Sequence, residues 1–119
     1  MAPFERLEVW RSTHDLVLAI YRLTASWPTA ERFGLASQIR RAAASIPTCL
    51  AEGSAKRGPR EFRRFVDIAL GSMSELTYLL RLAADLGYIS KGDHASIETH
   101  REQAGKLLWG LYRSLSSRC

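Results

Sequence analysis

Cysteine is scarce, with Cys49 inside an apolar run and Cys119 at the last position, so the chain carries neither a disulfide framework nor a zinc-ligand spacing. Cys49 reads as a small buried hydrophobe, because no neighbouring residue activates a thiolate, and Cys119 as an exposed thiol. Long apolar runs are also missing. The longest stretch without charge is Ala42–Ala51, about half of what a membrane-spanning helix needs. Glu5, Arg6, Glu8, Arg11 and Asp15 interrupt the first fifteen residues, which excludes the apolar core of a secretory signal. The expected location is therefore cytoplasmic, with no membrane partner. Strand pairs, internal repeats and low-complexity tracts are absent too.

The residues of common catalytic centres are equally thin. "EGSAKRGP" (52–59) follows a helical pattern and lacks "GK[ST]"; a phosphate loop needs a preceding strand and glycines whose N–H groups converge. His94 and His100 stand six apart on one helix, on different sides, and His14 sits in an apolar row, where a core histidine bonded to a neighbour is expected. No Glu-x-x-His occurs, which argues against a di-metal bundle. Glu52 and Glu75 lie nearest the apolar faces; their expected work is to neutralise Arg40 or Arg41 rather than to act as acid and base. These absences predict a non-enzyme without metal or cofactor.

What the chain does have is helical spacing. Its 119 residues, 46% hydrophobic and 24% charged, fit one globular domain spanning 1–119 that can bury roughly two thirds of its unfolded surface. Leu7, Trp10, His14, Val17, Tyr21 and Thr24, beside Leu16, Ile20, Leu23 and Trp27, predict a first helix over about 6–26. Pro28 ends it, and Thr29 is the expected cap of a second helix over about 30–52. Pro47 inside that helix removes a donor and predicts a bend near 43–47, with Ser45 bonding a carbonyl of its own helix and Gly53 in a left-handed cap. Pro59 suits the first turn of a third helix over about 59–87, closed by Gly87. In that helix the small residues Ala69, Gly71 and Ser72 predict close approach of a neighbour. Ser90 or Asp93 caps a fourth helix reaching about 117. The fold class is all-α, an up-down-up-down four-helix bundle with a bent second helix.

Charge is the remaining functional signal. Residues 1–64 carry eleven Lys/Arg against six Asp/Glu, whereas 65–119 carry six of each. Within Arg32–Arg64 the balance is eight against two, which points to an acidic partner, phosphate above all. Lys56, Arg57, Arg60, Arg63 and Arg64 cluster at the turn into the third helix, and Arg60, Arg63 and Arg64 share a face. Arginine at four of these five positions suits bidentate phosphate contact. Cations at a helix N-terminus oppose its dipole, at about 0.3–1 kcal/mol each, which suggests a use for them.

"GLASQIRRAAASIPTCLAEG" (34–53), "FRRFVDIALGSMSEL" (62–76) and "LGYIS" (86–90), with the opening "LEVWRSTHDLVLAIYRLTASWP" (7–28), resemble the four-helix-bundle family of 23S rRNA intervening-sequence proteins. "QIRRAA", "SIP", "AEG" and "GSMSEL" together are its most specific parts, and within them lie Gln38, Arg40, Arg41, Ser45, Pro47, Glu52, Gly53, Gly71, Ser72 and Glu75. Cys49 stands where that family commonly has asparagine. The resemblance implies a homopentameric ring, and a likeness to the accessory protein of diversity-generating retroelements implies binding to nucleic acid and a reverse transcriptase. The expected function is a non-enzymatic basic oligomeric adaptor that binds structured RNA or RNA/DNA through Arg40, Arg41, Lys56, Arg57, Arg60, Arg63 and Arg64. The alternative is a protein-interaction scaffold for an acidic protein or a reverse transcriptase, with Trp27 or Trp109 in subunit contacts.

Overall fold

The computed structural model describes residues 1–31 and 34–119; Arg32, the first cation of the basic segment, lies outside the described residues. A 3₁₀ turn, Pro3–Arg6, leads into α1, Glu8–Thr24; a second, Thr29–Glu31, precedes α2, Leu35–Ser54. Helices α3, Gly58–Asp85, and α4, Lys91–Ser117, complete an all-α fold of 44 × 22 × 22 Å. Each helix packs on two others, α2 and α3 most extensively, with α1 and α3 on opposite sides of the core and likewise α2 and α4.

The core follows the helical period. From α1 it takes Val9, Thr13, Leu16, Ile20 and Thr24, a row turned slightly from the expected one, which leaves Tyr21 exposed. Ile39, Ile46 and Leu50 meet Leu76 and Leu80 of α3 and Leu108 and Leu115 of α4 in one fully buried cluster. Each such side chain contributes roughly 1.5–3 kcal/mol through removal from water.

Helix ends show where local chemistry decides. The Ser90 hydroxyl accepts the Asp93 N–H at 3.1 Å, and Pro59 sits in the first turn of α3 after Gly58 at φ +84°. Gly87, also at φ +84°, closes α3: its N–H reaches the Ala84 carbonyl and that of Tyr88 the Ala83 carbonyl, both at 3.0 Å, the paired bonds of a left-handed stop.

Elsewhere distant contacts overturn the local expectation. Helix α2 starts at Leu35 rather than near residue 30, because Thr29 opens only a 3₁₀ turn, and the Glu31 carboxylate takes the Leu35 N–H at 3.1 Å. Ser45 does not turn back on its own helix; its hydroxyl lies 2.7 Å from that of Ser72 on α3. Helix α2 runs unbroken through the buried Pro47. Gly53 is not a left-handed cap but a buried helical residue, where a Cβ would stand 2.8 Å from Phe65 Cβ and 2.9 Å from Phe62 Cδ1. Gly71, expected at a close approach, is exposed with nothing within 4 Å of an added Cβ. Helix α2 approaches α3 closely at Gly53 and also at Ser72 beside the buried Ala69, so of the small residues only Gly71 departs from the expectation.

Trp27 is not a free apolar surface either. It is half-buried, stacked on Tyr88 with ring centroids 5.4 Å apart, and the Tyr88 hydroxyl donates to Glu31 Oε1 at 3.3 Å. This contact ties the α1–α2 connection to the one after α3. Burial, reinforced by the Glu31 charge and hydrogen bond, holds the Tyr88 phenol above its ordinary pKa.

Candidate nucleic-acid interface

Gly53 builds the basic turn. Without a side chain there, the end of α2 rests directly on Phe62 and Phe65, and the chain reverses over Ala55–Arg57. Phe65 then carries two cations, the Arg64 guanidinium 4.8 Å and the Lys56 ammonium 5.6 Å from its ring centroid, within cation–π range. Arg60, Arg63 and Arg64 line one concavity of about 350 Å3 together with Glu61, Asp67 and Tyr112. Arg64 is paired with Glu61 at 3.2 Å across an exposed helix turn, a contact worth about 0.2–0.5 kcal/mol. Lys56, Arg57, Arg60 and Arg63 make no ion pair among the described residues, and all but the partly covered Arg63 are exposed.

Arg40 has a different setting. Its Nε donates to Thr24 Oγ1 at 2.7 Å, its Nη2 to the Tyr21 carbonyl at 3.5 Å, and its guanidinium lies 4.6 Å from the Tyr21 ring centroid. The Thr24 hydroxyl in turn donates to the Ile20 carbonyl at 2.9 Å. Arg40 is thus occupied in joining α2 to α1. Arg41 is exposed, on the rim of a concavity of about 620 Å3 that also includes Tyr21, Arg40, Ser45, Cys49 and Glu52.

That concavity gathers several signature residues away from the turn. Glu52 shares it with Arg40 and Arg41, yet Glu52 and Glu75 are both exposed and neither forms an ion pair among the described residues. The expected neutralisation of Arg40 or Arg41 is therefore corrected: Arg40 is satisfied by neutral oxygens. Gln38 and Gly71 are exposed outside both concavities. Cys49 is buried, with its Sγ 4.0 Å from Ser45 Oγ. Burial pushes its thiol above the ordinary pKa against the pull of Ser45, and the Glu52 charge adds to the rise.

Among the described residues no group of three His, Cys, Asp or Glu is placed to hold a metal ion. His14 stacks on Trp10, centroids 4.9 Å apart and planes 8° apart; this replaces the expected hydrogen bond. No helix among the described residues is long and apolar enough to cross a membrane.

One surface escaped the charge count. Between α3 and α4 runs a groove of about 760 Å3 lined by Leu70, Met73, Arg101, Lys106, Trp109 and Arg113, among others, and Trp109 is 52% exposed in it. Its cations were hidden because residues 65–119 balance to zero; the available signal was Lys106, Trp109 and Arg113 at helical spacing.

Among curated proteins no match to this sequence is found. A solved structure of a protein with unknown function from the S23 ribosomal protein family of Bacteroides thetaiotaomicron is similar, with a TM-score of 0.77 and 23% identity. The match covers 87% of this chain and 97% of that one, a likeness of fold. Neither that description nor the family's names an enzyme class. The sequence pattern of the 23S rRNA-intervening sequence protein family matches residues 5–110, and the chain belongs to that family.

Proposed function

We propose that the protein is a non-enzymatic adaptor that binds nucleic acid, structured RNA in the first instance, through the basic turn between α2 and α3. The observation that carries this reading is the set Lys56, Arg57, Arg60 and Arg63: four cations in the turn before α3 and its first two turns, without ion partners among the described residues. Placed there they oppose the dipole, and a phosphate backbone relieves that opposition. Arg41 extends the same surface chemistry on α2, whereas Arg40 contributes mainly to structure.

In this reading the helices form an up-down-up-down bundle, bent at Pro47, that assembles into a homopentameric ring in the cytoplasm. A ring repeats a weak patch several times and multiplies its affinity. Exposed Ile68, Tyr78 and Trp109 favour a second reading, a scaffold that docks a reverse transcriptase or another protein. Pull-down with and without nuclease separates the two: loss of the partner after nuclease supports RNA binding, and retention supports the scaffold. Sedimentation at micromolar protein tests the ring, which a mass of one 13.4 kDa chain would contradict. Binding to a structured RNA, titrated against salt, tests the adaptor; affinity must fall steeply as salt rises.

A further inference from the structure

The basic turn and the α3/α4 groove meet at two aromatic rings. Tyr112 lines the concavity of Arg60, Arg63 and Arg64, while Trp109 lines the groove that contains Lys106 and Arg113. Their ring centroids lie 5.5 Å apart with planes at 84°, a T-shaped contact that orients the indole. Trp109 nevertheless stays 52% exposed. An indole left open between two groups of cations offers a flat apolar face on which an unpaired base can stack.

We infer that this seam is a binding track for single-stranded nucleic acid, in which an unpaired base stacks on Trp109 while phosphates run between Arg60 and Arg63 on one side and Lys106 and Arg113 on the other. Along α3 the lining runs from Arg60 to Thr77, roughly 25 Å at the helical rise. The two concavities together contain six cations, Arg60, Arg63, Arg64, Arg101, Lys106 and Arg113, against Glu61, Asp67 and Glu102. Arg64 is held by Glu61 and Arg101 by Glu98 at 2.7 Å, which leaves Arg60, Arg63, Lys106 and Arg113 for phosphate. Charge complementarity selects a polyanion, and the exposed indole selects one with unpaired bases, because duplex bases are already stacked on each other. This inference rests on the proposed nucleic-acid binding and adds to it a ligand class and a residue, Trp109, on a second helix.

The test compares a short oligouridylate with a hairpin duplex of equal phosphate number, by fluorescence anisotropy on the full chain. Stacking of one base is worth roughly five- to 150-fold in affinity, so Trp109→Leu should lose that much for the single strand and less than twofold for the duplex. Trp109→Phe should keep most of the affinity, and thermal melting should confirm that both variants fold, as an exposed position predicts. Lys106→Gln with Arg113→Gln should flatten the salt dependence by about one to two contacts. Equal single-strand binding by wild type and Trp109→Leu, with the salt dependence intact, would overturn the track and leave the proposed adaptor standing. Absence of binding to either probe would overturn both. If Trp109→Leu lowers the sedimentation mass and leaves RNA affinity unchanged, the indole is covered by a second copy and the track is refuted.

Discussion

Arg40 and Arg60 stand on helices that pack together, and their guanidinium groups differ only in what surrounds them. Arg40 is half-buried, 2.7 Å from the Thr24 hydroxyl and above the Tyr21 ring, a tie between α1 and α2. Arg60 is exposed in the first turn of α3, in a concavity with Arg63, Arg64 and Tyr112, and makes no ion pair among the described residues. Equal formal charges thus divide into one satisfied by the fold and one that the fold leaves available. The lesson is that a basic segment counts toward binding only through the cations that internal contacts have not already claimed.

The sharpest way to break this comparison is to neutralise one side of it. Arg57→Gln, Arg60→Gln and Arg63→Gln together should lower RNA affinity by about tenfold to a hundredfold near ~0.1 M salt. The same triple variant should melt no lower than wild type, because removing the charges of Arg57 at the N-cap and Arg60 in the first turn relieves a dipole penalty of about 0.3–1 kcal/mol each. Loss of affinity with retained or increased stability is the signature of residues kept for a ligand.

The two glycines offer a second contrast. Gly53→Ala must force Phe65 and Phe62 away from the end of α2. Overpacking of about 1–3 kcal/mol is set against the helix preference of alanine, about 1 kcal/mol, so urea unfolding should show a net loss of up to about 2 kcal/mol. Gly71→Ala, with open space around it, should gain about 0.5–1 kcal/mol. On the other side of the arginine comparison, Arg40→Met should cost about 1 kcal/mol of stability from its lost hydrogen bonds, while RNA affinity stays within twofold.

A smaller effect concerns pH. In the folded chain Cys49 and Tyr88 both favour their neutral forms, with pKa values raised chiefly by burial. Their stabilisation is complete below the ordinary values, about 8.5 and 10, and is lost as pH climbs through the raised ones. Melting temperature should therefore fall above about pH 9, and less steeply in Cys49→Ala with Tyr88→Phe.

Four helices and three of their ends, two starts and one stop, were legible in the sequence because capping is local chemistry. Ser90, Pro59 and Gly87 need only their own neighbours to act. Ser45, Gly53 and Arg40 could not be read that way. Their roles depend on Ser72, Phe65 and Thr24 arriving from other helices. The late start of α2 likewise rests on a glutamate side chain reaching forward from a 3₁₀ turn. Of the candidate interface, the cluster at 56–64 was visible as charge. Its continuation to Trp109 was not, since neutral net charge over 65–119 conceals cations that packing brings to one seam.

The most direct test of the account is the salt dependence of RNA affinity, measured side by side for wild type, Arg40→Met and the triple variant at 57, 60 and 63. A log–log slope that is steep and equal in wild type and Arg40→Met, and shallower by about two to three in the triple variant, is the predicted result. A flat plot for wild type, or three parallel lines, would contradict it.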